Sequence, residues 1–278
     1  YLLKAFEQFF LKQQQHNFHR KLNVSNFLYH NYNIFKTIKY FPKAFILFLS
    51  LKEKKDILQI KYENILIGDL IYDTYLRYLK KKTVNVKDLN LVLMLARTFY
   101  EINYLESISK KIDMYITGYT TYTNNGLPSR IFTKNQIEVY TFANFVSGKR
   151  LILKDFSQNK IYWDYKLDFS RLPNENDKIA SGLDLIKNRI NGVNDLKYMR
   201  FNSYLNKNQI EDLKFEGVIF LHDFTDSSHV YRWSLFEDFY EWFLFLINLI
   251  EKNNLSIGLK PHPNQNTTSK KIVDKLKK

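Results

Sequence analysis

The sequence predicts an α/β fold with a parallel sheet and a helix-rich N-terminal portion, and three observations carry that prediction. Short apolar runs of strand type recur along the chain, each breaking into a polar segment and then a helical stretch, the alternation of a parallel α/β architecture. The clearest unit spans residues 217–264. It opens with Val218-Ile219-Phe220-Leu221, passes through His222-Asp223-Phe224-Thr225-Asp226-Ser227-Ser228-His229, and continues as a helix over about 235–252. A second strand over 256–259 ends in Lys260-Pro261-His262-Pro263-Asn264. By contrast, residues 1–50 mix aromatics and lysines at helical spacing, with breaks near Asn23 and Pro42. That portion reads as helices joined by loops.

The remaining elements follow in order. Residues 61–67 predict a strand ending in Gly68-Asp69, and residues 70–80 a helix. Residues 86–111 are helical, with Asp88 as N-cap and Leu89, Val92, Leu93, Ala96 and Tyr100 on one face. Residues 114–117 predict a strand and 118–129 a polar loop, because Asn124-Asn125-Gly126 and Pro128 are turn residues. Strands are expected at 137–142 and 149–153, and a helix at 175–191 stopped by Asn191-Gly192. Residues 194–216 carry no core pattern and are the preferred connection between two domains.

Composition narrows the class. The chain has 278 residues, 45% hydrophobic and 17% aromatic, enough for a substantial core. No cysteine is present, which excludes a disulfide scaffold and a thiolate metal site and fits a reducing compartment. No run approaches the roughly eighteen apolar residues of a spanning helix, and neither end reads as a signal peptide. The first residue is not Met and the last are Lys-Lys, so a fragment is expected. A net charge of +14 points to an anionic partner. Lysine nevertheless dominates arginine alongside abundant Asn, Ile, Tyr and Phe, as an AT-rich genome would produce.

The polar clusters supply the site candidates. In parallel sheets ligands sit beyond the carboxyl ends of the strands. His222, Asp223 and Ser227 after the first strand, and Lys260 and His262 after the second, are therefore expected at one crevice. Pro261 and Pro263 hold His262 in a rigid, extended connection. The plain alternative is a proline-terminated strand with an incidental histidine. Gly68-Asp69 reads either as a loop with backbone amides near a ligand, Asp69 or Asp73 serving as base, or as a strand-to-helix turn with Asp69 as cap. An Asp73–Arg77 surface pair is the simpler role for Asp73.

Tyr119, Tyr122, Asn125, Gly126 and Arg130 form a second candidate. A long polar loop with a cation suits an anionic or sugar group, and the tyrosines suit stacking on a sugar ring. An ordinary connection with surface aromatics is the alternative. His222, Asp223, Asp226 and His229 meet the count for a divalent ion, but their spacing matches no zinc signature. No Gly-x-Ser-x-Gly elbow, Walker A sequence or Gly-x-Gly-x-x-Gly fingerprint occurs. The run Phe239-Tyr240-Glu241-Trp242-Phe243 is expected on the buried face of its helix.

Phe-Leu-His-Asp-Phe-x-Asp-Ser, then Phe-Glu-Asp-Phe-Tyr-Glu-Trp, then Ile-x-Leu-Lys-Pro-His-Pro-Asn resembles bacterial capsule and surface-polysaccharide biosynthesis proteins. The resemblance is best over 218–264 and weaker over 65–77 and 115–130. Lys-Pro-His-Pro also looks like the His-Pro element of bacterial sialyl- and Kdo-type transferases. The resemblance implies a GT-B fold of two Rossmann-like domains: residues 1–200 as an acceptor-side domain with a helical insertion, and 215–278 as the start of a truncated nucleotide-sugar domain. It implies a metal-independent glycosyltransferase with a nucleotide-sugar co-substrate, CMP-linked among the candidates, and no separate cofactor. The acceptor would be a glycan or lipid-linked glycan. A cytoplasmic location, with peripheral contact at an anionic inner membrane and no nucleic-acid partner, goes with that reading. His262 and Lys260 would neutralise the donor phosphate, with His222, Asp223, Ser227, Ser228, Pro263 and Asn264 around the nucleotide. Asp69 or Asp73 would be the base. A CDP-alcohol polyol-phosphate transferase of teichoic-acid type, or a non-catalytic basic module, remain the alternatives.

Overall fold

The computed structural model describes residue 20 and residues 34–141, 149–151, 169–171, 173–191, 214–230, 234–262 and 265–275. The chain divides into two compact units, Tyr1–Lys36 and Thr37–Lys278. Of the first, only Arg20 and residues 34–36 are described. The second carries the site. The connection expected at 194–216 lies mostly outside the described residues, as do Pro263, Asn264 and most of the helices expected before residue 34.

The elements are α1 (Ile34–Ile38), α2 (Phe41–Ser50), α3 (Lys54–Leu58), β1 (Lys61–Tyr62), β2 (Ile65–Leu66), α4 (Gly68–Leu79) and α5 (Asn90–Ser109). They continue with β3 (Met114–Thr117), α6 (Tyr122–Lys134), β4 (Glu138–Thr141), β5 (Lys149–Leu151), α7 (Glu175–Ile190), β6 (Gly217–Phe220), α8 (Phe239–Asn253), β7 (Ile257–Lys260) and α9 (Thr267–Asp274). The protein is thus of mixed α/β class. β3 and β4 pair in parallel, and β5 adds antiparallel to β4. β6 and β7 form a separate parallel pair, in register from Gly217 opposite Ile257 to Phe220 opposite Lys260.

The expected strand at 61–67 is instead a tight hairpin, β1 against β2. Glu63 and Asn64 both take positive φ, 49° and 66°. Two such residues in a two-residue loop give the turn whose twist suits a hairpin. Gly68 follows at once. A Cβ there would collide with the Ile57 carbonyl, and its amide donates to Ile60 O at 3.1 Å. The Gly68 amide, expected to face a ligand, is therefore turned inward, and α4 begins directly at Gly68.

α4 is the spine of this unit. Leu70, Ile71, Tyr72, Asp73, Thr74, Tyr75 and Leu76 are all buried, so every face of the helix meets protein. Only a helix in the middle of a core tolerates that pattern. α5 packs Leu91, Val92, Leu95, Ala96, Phe99 and Ile102 inward, whereas Leu89 and Leu93 are exposed. Val92, Ala96 and Tyr100 of the expected face are buried, whereas Leu91 and Leu95 take the places expected of Leu89 and Leu93. Asp88 does not cap the first turn through the N-cap position. It lies one residue earlier, accepting from the Asn90 amide at 3.0 Å and the Tyr75 hydroxyl at 2.6 Å.

The larger correction concerns residues 118–129. Most of that expected polar loop is helix α6, with Pro128 inside it and Gly126 buried. Leu127, Ile131 and Phe132 are anchored in the core. Their burial outweighs the one helix bond that Pro128 forgoes. Gly126 is there for closeness: a Cβ would meet the Leu70 side chain and come within 2.8 Å of Thr120 O.

A second, smaller core gathers Leu221, Phe224, Phe243 and Val273, with Phe239, Tyr240 and Trp242 against it. Of the aromatic run of α8 only Phe243 is buried, with Phe239, Tyr240 and Trp242 partly buried beside it, and the helix starts at Phe239 rather than near Leu235. Asp238 sets that start. Its carboxylate accepts from the Tyr240 and Glu241 amides at 3.0 and 2.9 Å, an N-cap worth about 1 kcal/mol.

Candidate functional site

The parallel pair β6–β7 delivers two polar segments to one end, as a parallel register requires. His222 follows β6 and His262 follows β7, and their rings lie 5.5 Å apart. Phe239, the first residue of α8, stacks on His222 at 4.2 Å with ring planes 22° apart. His262 is half-buried. Burial pulls its imidazole below the ordinary histidine value and His222 adds to that, against the opposing charges of Asp223 and Asp226. Two imidazoles thus stand side by side at the carboxyl end of the parallel pair.

Lys260 lies beside this pair in sequence but on the exposed side, its ammonium over the Phe220 ring at 5.4 Å from the centroid. Asp223 faces the other way. It accepts from the Thr225 amide (2.8 Å) and hydroxyl (2.9 Å), the Asn266 amide (2.7 Å) and side chain (3.1 Å), and the Ser269 hydroxyl (3.0 Å). Burial works to raise its carboxyl, but these hydrogen bonds hold it below the ordinary aspartate value. Asp223 is thus a latch between the β6 loop and the start of α9. The residues around His222 and His262 are fixed by it. Ser227 donates its amide to Asp226 Oδ1 at 2.9 Å.

The same loop then turns back onto α4. Ser228 donates its amide to Asp73 Oδ1 at 3.2 Å, and His229 Nδ1 meets the same oxygen at 2.7 Å. The His229 amide reaches Asp73 Oδ2 at 3.3 Å. Burial pushes the Asp73 carboxyl up from its ordinary value, against the hydrogen bond and charge of His229. Burial also pulls the His229 imidazole down. Asp73, with Asp69 and Asp238 behind it, nevertheless holds that imidazole above the ordinary value. Asp73 therefore pairs with His229 and not with Arg77. His229 was not singled out as a pair partner, because 156 residues separate it from Asp73 and no local pattern links them.

Asp69 and Arg130 come together. Arg130 Nη1 and Nη2 hold the two Asp69 oxygens at 2.7 and 2.5 Å, and Nη1 also donates to Leu66 O at 2.5 Å. Both side chains are largely buried. Arg130, expected at a substrate, braces α6 against α4. Tyr122 donates its hydroxyl to Asp226 Oδ1 at 2.7 Å, and burial beside that carboxylate pushes its ionisation up. Asn125 and Gly126 sit within α6, where the Asn125 carbonyl accepts the Ser129 hydroxyl at 2.8 Å. Tyr119 is about half exposed. The two expected groups thus share the loop 222–229: Tyr122 and Asp73 both touch it.

Among the described residues no three His, Asp or Glu side chains converge as metal ligands would. His222, Asp223, Asp226 and His229 point to separate partners. No helix among the described residues is long and apolar enough to cross a membrane. The chain matches no protein-family model, no curated protein and no solved structure.

Proposed function

We propose that this chain transfers a sugar from a nucleotide-activated donor to a glycan acceptor, within a GT-B arrangement whose nucleotide side begins at β6. The observation that carries the reading is the His222–His262 pair at the carboxyl end of two parallel strands. The resemblance of the surrounding sequence to surface-polysaccharide transferases supports it as well.

In this reading the donor phosphate lies against His262 and His222, with Lys260 adding long-range positive charge. As the bond between the anomeric carbon and the phosphate oxygen breaks, charge grows on that oxygen. Ring N–H donors held in place stabilise it without reorganisation, the usual source of a large rate effect. Phe239 limits the His222 ring to one plane, and the Asp223 latch fixes the loop. The acceptor is a surface glycan, presented at the cytoplasmic face of the membrane.

The reading is tested by incubating the full chain with CMP-, UDP- and GDP-sugars and following nucleotide release with wild type and His262→Ala. Release by wild type that drops at least tenfold in the variant supports it. Products that carry phosphate transfer it instead to polyol-phosphate chemistry from a CDP-alcohol. Nucleotide-independent, salt-sensitive binding to anionic surfaces, unchanged in His262→Ala, would replace it with a basic binding module.

A further inference from the structure

Asp73 is almost wholly buried, 2% exposed, and its carboxylate is surrounded by the Ser228 and His229 amides and the His229 ring. Both of its oxygens already accept from these donors, so neither is left for a hydroxyl substrate. Its chemical outlet is His229. An ionised Asp73 at 2.7 Å requires a proton on Nδ1, and a neutral imidazole with Nδ1–H carries its lone pair on Nε2. That Nε2 is buried and has no hydrogen-bond partner among the described residues. Buried polar atoms are nearly always partnered, and exceptions gather where chemistry is done.

The ring is held from several sides. Tyr72 meets it edge-on at 5.0 Å, and the Tyr72 hydroxyl is itself fixed on Asp238 at 2.6 Å. Asp69 of α4 faces the pair and is tied to Arg130 of α6, while Asp238 approaches from the start of α8. The contacts run on without a break: Tyr72 to Asp238, then its neighbour Phe239, which stacks on His222 beside His262.

We propose that Asp73 and His229 act as a proton-accepting dyad for the acceptor hydroxyl, with Nε2 of His229 as the base and Asp73 as its positioning residue. The inference rests on the transferase reading above. The acceptor O–H gives its proton to Nε2 as its oxygen bonds to the anomeric carbon. The bond from that carbon to the donor phosphate breaks, and its electrons leave on the phosphate oxygen beside His262. A base whose affinity for protons is raised by a neighbouring carboxylate matches the need for proton transfer near neutral pH.

Two measurements on the full chain test this. Nitrogen NMR of histidine-labelled protein reads the tautomer directly: His229 should be Nδ1–H when neutral, and Asp73→Asn should lower its titration point. A neutral His229 protonated on Nε2 overturns the dyad, whatever the activity. Nucleotide release from the sugar-nucleotide panel, with CMP, UDP and GDP binding measured alongside, gives the second reading. His229→Gln should lower kcat by roughly 10²–10⁴-fold, with nucleotide affinity unchanged. Asp73→Asn should move the rising limb of the pH profile to lower pH. Nucleotide binding with undiminished turnover in His229→Gln overturns the dyad and leaves the transferase reading standing. Absence of nucleotide binding by wild type overturns both. Thermal melting of Asp73→Asn, which keeps the side-chain shape, separates a lost fold from a lost base.

Discussion

Tyr72 on α4 donates its hydroxyl to Asp238 Oδ2 at 2.6 Å, although 166 residues separate the two. Thr83 donates to the same oxygen at 2.6 Å, while Oδ1 caps α8. One carboxylate thereby joins the spine of the larger core to the module that carries the histidine pair. Lys54–Glu241 and Lys82–Tyr240 contacts reinforce the junction.

Removing Tyr72's hydroxyl should be mild, because Asp238 keeps three donors. Tyr72→Phe is expected to lower stability by about 1 kcal/mol, whereas Asp238→Ala loses the cap and strands the buried Tyr72 hydroxyl and the half-buried Thr83 hydroxyl, at about 3 kcal/mol. Urea unfolding of both variants checks the order. Equal losses would contradict the junction described.

Arg130 is held by a fork of two bonds to Asp69 in a largely buried setting. Asp69→Ala leaves that guanidinium without its partner, and a buried unpaired charge costs roughly 3–5 kcal/mol. The double variant Asp69→Ala/Arg130→Met should recover most of the loss. A loss below about 1 kcal/mol in the single variant, the range of exposed pairs, would place the pair in solvent.

Gly126 touches Leu70 across the α4–α6 contact. Gly126→Ala should lower stability by about 1–3 kcal/mol through overpacking, despite alanine's better helix propensity. A more stable variant would mean residues 118–129 form the open loop that their composition implied.

Why that segment misleads is physical. Asn-Asn-Gly and an internal proline are local turn signals, but Leu127 and Ile131 stand one helical turn apart and enter the core. Tertiary burial overrode local preference. The β1–β2 hairpin was misjudged for the opposite reason: its turn depends on positive φ at Glu63, a residue with no tendency towards it. By contrast β6, α8 and β7 were legible because each apolar run is bounded by strong breakers. His222 and His262 were legible with them, since parallel strand ends determine where following residues meet. The Asp73–His229 and Asp69–Arg130 pairs were not, because only the packing of α4 against distant segments creates them.

Asp223 gives a pH dependence with a definite sign. Its folded-state pKa is lowered, so its contribution to stability is complete above the unfolded aspartate value near 3.9 and is lost as pH falls through the lowered folded value. Asp223→Asn should flatten the acid limb of the stability profile in that window while lowering stability at neutral pH. Identical acid limbs in variant and wild type would remove the latch.

Calorimetric titration of CMP, CDP, UDP and GDP into wild type and His262→Ala reads out whether the histidine pair holds a nucleotide phosphate. One nucleotide should bind selectively, with proton uptake, because an anion favours the charged form of the His262 imidazole held low by burial. Affinity should weaken between about pH 5 and pH 8, and His262→Ala should lose most of the binding and its pH dependence. Binding of none of the four, or equal binding by His262→Ala, would contradict the assignment of the His222–His262 pair to a nucleotide phosphate.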